Sequence, residues 1–262
     1  MLKQLAAGFK QNDPATGMKI GRCVGVYAFM DYDDQPIYVG QTMEGLATRV
    51  RRHLSGQRTD AVAYRILDPA EVATIRLYPA QDLDARDLIK KRDSSLKPQI
   101  DMLRSKLNSL EFAVYEKLIE ESDLGVILNE TLPPQSPYPV TIPPFVTVNL
   151  IPDELRLEWG HPDRRIARRA ETLARAAAVA KERGEVSPGL RRGLVVQAAR
   201  LTALSSARLA YVEGRPHPPE EALDLPKLVG GTHRPANIVE EIDADVDAEI
   251  EEIQDSQDDG AS

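Results

Sequence analysis

The sequence predicts an α/β (α+β) fold: a small three-stranded antiparallel sheet flanked by helices, followed by a mainly helical C-terminal region and a disordered acidic tail. Three observations lead there. Short β-branched and aromatic runs occur at residues 20–30, 37–40 and 71–78. Apolar residues at helical spacing fill the stretches after them. The segment 239–262 carries eleven Asp and Glu and no Lys or Arg, a composition that cannot bury enough apolar surface to fold alone.

The run 20–30 (Ile-Gly-Arg-Cys-Val-Gly-Val-Tyr-Ala-Phe-Met) is the first expected strand. Asp31 to Pro36 is a turn by composition. Ile37 to Gly40 is a second strand, close enough to pair with the first as an antiparallel hairpin. Leu46, Val50 and Leu54 recur every four residues on one helical face. Glu71 to Tyr78 is the third strand. A helical region follows over 83–121 and breaks near Lys97-Pro98, because proline disfavours helix in the residue before it. These elements form the first unit, residues 1–131.

Residues 132–152 hold seven prolines and read as an extended connector. A helical hairpin is expected over 153–215. Asp163 caps a helix running to Arg183, and Ser187-Pro188 opens another that ends near Gly214. Residues 216–262 are loop and acidic tail, in which Ile242, Val246, Ile250 and Ile253 share one face of a transient helix.

Composition narrows the function classes. The chain is 42% hydrophobic and 28% charged, as in soluble globular proteins. Aromatics are only 5%, too few for an extensive base-stacking platform. Cys23, the sole cysteine, excludes an internal disulfide framework or a cysteine-rich zinc site, and lies in an apolar run that suits a buried thiol. No apolar stretch approaches the roughly 20 residues that span a bilayer, so no membrane association is expected. The start, Met1 to Gln4, offers no signal-peptide core, and a cytoplasmic location is expected. The net charge of −8 is carried by the tail: without its eleven negative charges, residues 1–238 stand at +3.

Chemistry-bearing residues gather in the first unit. Tyr27 and Tyr38 lie on the two strands of the hairpin, where cross-strand side chains come within about 5 Å of each other. Two phenols on one groove can hold a water between them. Gly25 and Gly40 permit close approach to the backbone. Arg49 and His53, spaced i, i+4, share a helical face, with Arg51 and Arg52 beside them. Arginine suits phosphate oxygens, and histidine transfers protons near neutral pH. Glu111 lies against the apolar stripe of Leu107, Val114, Tyr115 and Leu118, where a carboxylate needs a partner or a metal. It is the candidate Mg²⁺ ligand, and Glu116 is the alternative. Asn129 ends an apolar run and can hydrogen-bond a catalytic group or a phosphate. His161, His217 and His233 have no metal-ligand spacing.

The ordered set resembles the GIY-YIG nuclease superfamily over residues 20–130. Gly25-Val26-Tyr27 resembles the first namesake triplet and Tyr38-Val39-Gly40 the second, with valine for isoleucine in both. Gln41-Thr42 resembles the polar pair that follows. Arg49 with His53 resembles the helix motif, Leu110-Glu111 the metal-glutamate helix, and Asn129 the asparagine that closes the module. The spacing of 18 from Glu111 to Asn129 is longer than usual for the family. The resemblance implies a DNA endonuclease with one divalent metal, Mg²⁺ or Mn²⁺, bound by Glu111. It implies that Tyr27 acts as general base, Tyr38 helps position the water, Arg49 and His53 stabilise the phosphate, and Asn129 orients the site. A catalytically inactive binding module on the same fold is the alternative.

Between Arg164 and Arg200 there are ten Lys and Arg against three Asp and Glu. Arg168, Arg169, Arg191 and Arg192 are therefore expected, with Arg51 and Arg52, to contact nucleic acid. DNA is the expected partner. The tail has the charge to meet a basic partner, and a homodimer is compatible with the chain.

Overall fold

Tyr27 and Phe29 alternate with Val26, Ala28 and Met30, and all five are fully buried. A strand covered on both faces must be central, and β1 (Gly25–Met30) is. In the computed structural model, which describes residues 2–55, 67–129, 132–133, 138–184, 186–216 and 225–230, four antiparallel strands run in the order β2-β1-β3-β4. β2 is Pro36–Thr42, β3 is Thr74–Pro79 and β4 is Val146–Asn149. β1 pairs with β2 in the register Tyr27↔Gly40 and Phe29↔Tyr38, and with β3 in the register Tyr27↔Leu77.

The fourth strand departs from the expected three. Val146 and Val148 alternate with Thr147 and Asn149 and pair with Leu77 and Ile75 of β3. The neighbouring prolines, Pro143, Pro144 and Pro152, all lie outside the strand, so none removes a ladder donor. β1 is also shorter than expected. Ile20–Arg22 forms a 3-10 turn, and the strand opens at Gly25, whose φ of +155° and approach to the Tyr78 carbonyl leave no room for a Cβ.

Helices cover both faces of the sheet: α1 (Leu2–Gly8), α2 (Leu46–Ser55), α3 (Arg86–Lys90), α4 (Lys97–Glu121), α5 (Asp153–Trp159), α6 (Pro162–Arg183), α7 (Pro188–Val212) and α8 (Leu225–Leu228). Two cores result. Leu107, Leu110, Val114 and Leu118 of α4 pack with Val26, Ala28 and Val39 on one face. On the other, Tyr27, Phe29 and Ile75 pack with Leu46 and Val50 of α2, Leu5 of α1, and Leu190, Val196 and Ala199 of α7. The α6–α7 hairpin is thus built into the core of the first unit.

Local signals explain the helix ends. Pro98 occupies the first turn of α4, where its missing N–H is harmless. Ser187 Oγ accepts from Leu190 N at 3.2 Å to open α7. α6 is capped by His161, whose Nδ1 accepts from Asp163 N at 3.3 Å, and not by Asp163 as expected. Asp163 pairs instead with Arg208 of α7 at 2.9 Å. The expected tail disorder concerns residues outside those described. Among the described residues no helix is long and apolar enough to cross a membrane.

Candidate active site

Tyr27, Phe29, Tyr38 and His53 form one cluster of rings. Alternation along β1 puts Tyr27 and Phe29 on the same face, and Tyr38, paired with Phe29, falls diagonal to Tyr27. The Tyr27 and Tyr38 centroids lie 6.2 Å apart. α2 lays His53 against both, 5.6 Å from Tyr27 and 5.0 Å from Tyr38. Arg49 precedes His53 by one turn and is half-buried, as is Tyr38, while Tyr27 and His53 are buried.

Gly40 makes this arrangement possible. It sits opposite Tyr27, and a Cβ there would lie 2.6 Å from the Tyr27 phenol oxygen. The close approach expected at Gly40 is therefore made by Tyr27 itself.

Asn129 holds the edge of β2. Its Oδ1 accepts from Val39 N at 3.0 Å and its Nδ2 donates to Val39 O at 2.8 Å. Leu128 N also donates to Ile37 O at 2.8 Å. Both amide ends serve the backbone between Tyr38 and Gly40, so Asn129 is a positioning residue for the strand. The expected contact with a phosphate or a catalytic side chain is not what this geometry supplies.

Glu111 lies on α4, on the sheet face opposite α2. At about 100° per residue it falls between Leu118 and Tyr115, inside the arc that α4 buries. Glu116 falls on the far side. One turn before Glu111, Asn108 accepts from Gln41 Nε2 at 2.9 Å, tying this part of α4 to the residue after Gly40. Glu111 is half-buried. Among the described residues no three His, Cys, Asp or Glu side chains gather as a metal cluster. Glu111 would serve as a single carboxylate ligand, a donor set compatible with Mg²⁺, which retains waters and takes few protein ligands.

The basic residues divide. Arg51 is exposed, with its guanidinium 5.6 Å from the Phe9 ring centroid. Arg52 pairs with Glu44. Arg191 is exposed and Arg192 half-buried. Arg168 and Arg169 turn inward, which corrects the expectation that they face nucleic acid. Arg168 Nη2 meets Glu71 Oε1 at 2.6 Å. Arg169 is buried and reaches Glu71 at 3.0 Å and Asp31 at 2.9 Å.

These contacts belong to an ion-pair layer that sequence reading missed. Asp31, in the β1–β2 turn, accepts from Arg200 Nη2 at 2.7 Å and lies 3.2 Å from Arg165 Nη2. Arg165 also meets Asp33 at 2.6 Å, and Arg200 donates to the Pro36 carbonyl at 3.1 Å. Burial alone would raise the Asp31 pKa. The Arg200, Arg165 and Arg169 charges outweigh it and hold the carboxyl below its ordinary value. Burial and the neighbouring Arg169 bring Arg200 down to about 10, which leaves it charged at neutral pH. A small pocket, with room for about one water, borders this layer and is lined by Ile37, Glu71, Leu128, Arg169, Gln197 and Arg200. One signal was available: Arg165, Arg168 and Arg169 stand at i, i+3 and i+4, on one face of α6.

Cys23 is buried, and its thiol lies 3.6 Å from the Lys19 carbonyl. Burial first, then the Asp13 charge, raises its pKa, so it is a packing residue. Comparison with family models, with curated proteins and with solved structures returned no match.

Proposed function

We propose that the chain is a metal-dependent endonuclease that hydrolyses DNA phosphodiester bonds, as the likeness of its motifs to the GIY-YIG superfamily implies. The observation that carries this reading is the meeting of Tyr27, Tyr38 and His53, from β1, β2 and α2, around Gly40. In it, Tyr27 would act as its phenolate, its own proton passed on through the neighbouring His53, and so take a proton from the attacking water, while Tyr38, the more accessible phenol, positions that water. His53 and Arg49 offer donors to the phosphate oxygens, where charge develops as the bond breaks. Glu111, on α4 across the sheet from α2, is the carboxylate that would hold Mg²⁺ or Mn²⁺. When bound, the ion supplies Lewis-acid stabilisation of the phosphate. Asn129 fixes the strand between Tyr38 and Gly40. The reading extends to a cytoplasmic role in restriction, mobile-element or repair processes.

A second reading follows from one observation: Tyr27 has no solvent-exposed surface. A phenol buried in this way serves equally as packing, and the domain would then bind nucleic acid without cutting it. Cleavage assays with Mg²⁺ and Mn²⁺ on plasmid, branched and single-stranded DNA separate the two. The nuclease reading expects cleavage that Tyr27→Phe and Glu111→Ala abolish while the fold survives. Binding without cleavage, indifferent to chelator, supports the second.

A further inference from the structure

The arginines of the helical hairpin are largely consumed. Arg164 meets Glu158, Arg175 meets Glu171 and Arg208 meets Asp163, while Arg165, Arg168, Arg169 and Arg200 are committed to Asp31 and Glu71. The arginines that face the sheet are therefore committed to its acids, while Arg191 stays exposed. A different basic run is free. Lys90, Lys91, Arg92 and Lys97 surround the turn from α3 into α4, and all four are exposed. Among the described residues Lys91, Arg92 and Lys97 enter no ion pair, and Lys90 makes only a 3.4 Å contact with the exposed Asp87. The acid inside the run, Asp93, is turned to the backbone, accepting from Ser95 N at 2.9 Å.

Arg92 adds an independent observation. Its φ is +52°, a left-handed conformation that costs a non-glycine residue about 1–2 kcal/mol and that glycine ordinarily fills at a helix end. An arginine in that conformation points to a use for its side chain.

The run also lies beyond the end of the sheet nearest Gly40. Asn108 of α4 meets Gln41 at the end of β2, and Glu121 meets Arg76 of β3 and reaches toward the other end of the sheet. The first turns of α4 therefore project past the end of the sheet where β2 leaves it. Fourteen residues separate Lys97 from Glu111, which is about 21 Å of helix at 1.5 Å per residue. That is the axial rise of about six base pairs.

We propose that Lys90, Lys91, Arg92 and Lys97 form a phosphate-binding track for duplex DNA, beginning about six base pairs' rise along α4 from Glu111. This rests on the DNA reading above. The test is binding of the full chain to a labelled DNA duplex across a salt series, in chelator, so that binding is read without hydrolysis. Lys91→Ala/Arg92→Gly/Lys97→Ala should weaken binding about tenfold or more and flatten the salt slope by about 2.7, at about 0.9 per lost phosphate contact. Arg92→Gly alone should weaken binding without lowering the melting temperature, because glycine relieves the backbone conformation. An unchanged slope in the triple variant overturns the proposal, as does tighter binding of duplex RNA than of duplex DNA. The two readings fail separately. A wild type that binds through the run but never cuts refutes the nuclease and keeps the track. A triple variant that binds with the wild-type slope in a protein that cuts keeps the nuclease and removes the track.

Discussion

Asn129 grips Val39 with both ends of its amide, at 3.0 and 2.8 Å, and so pins the edge strand between the second tyrosine and the glycine that accommodates the first. Replacing it with alanine leaves two backbone groups at a buried edge without partners. Asn129→Ala should cost about 1–3 kcal/mol, read by denaturant unfolding. Asn129→Asp should be no better, since a carboxylate cannot donate to the Val39 carbonyl. Wild-type stability in Asn129→Ala would show that Asn129 does not hold the strand.

Gly40 is the tightest point of the ring cluster. Gly40→Ala places a methyl 2.6 Å from the Tyr27 oxygen, so the ring must move or the strands must part. Overpacking of this kind costs about 1–3 kcal/mol. Destabilisation together with lost cleavage is the expected outcome, and a variant as stable as the wild type would mean that Tyr27 is not seated as described.

Asp31 joins the hairpin to the sheet. Asp31→Ala leaves the buried Arg169 and Arg200 guanidinium groups facing a missing carboxylate, and breaking a buried pair from one side costs about 3–5 kcal/mol. Chemical denaturation gives the number directly. A loss under 1 kcal/mol would make the layer incidental to stability.

The same residue sets an acid response. Its folded pKa is below the ordinary 3.8, so the folded state keeps the carboxylate ionised more readily than the unfolded chain. The resulting stability is complete above the ordinary value and is lost as pH falls through the lower folded one. Unfolding free energy should drop as pH falls below about 3.8, and Asp31→Asn should show a shallower decline.

The first unit should not stand alone. Leu190, Val196 and Ala199 complete its core, and Asp31 and Glu71 would lose their arginines. A chain ending at residue 152 should be readily proteolysed and poorly folded by circular dichroism, and a cooperative, wild-type melt would contradict this.

Much of the sheet was legible because its residues satisfy two requirements at once. The 25–30 run is apolar on both faces, which only a central strand tolerates, and Leu46, Val50 and Leu54 announce α2. Arg49, His53 and the tyrosines could be placed because hairpin pairing and the i, i+4 rule are local. β4 was hidden because prolines crowd its flanks, although none enters it. The role of Asn129 was misread because its partner is backbone 90 residues away. The inward turn of Arg168 and Arg169 depends on two acids from the sheet, a tertiary relationship that composition along the hairpin does not encode.

The most direct test of the nuclease reading is metal-dependent cleavage of a defined DNA panel by the wild type and by Tyr27→Phe. Wild-type products that require Mg²⁺ or Mn²⁺ are expected, with the rate in Tyr27→Phe reduced about 10²–10⁴-fold, the range of general-base contributions. Intact DNA throughout, or a Tyr27→Phe variant that cuts at the wild-type rate, would contradict it.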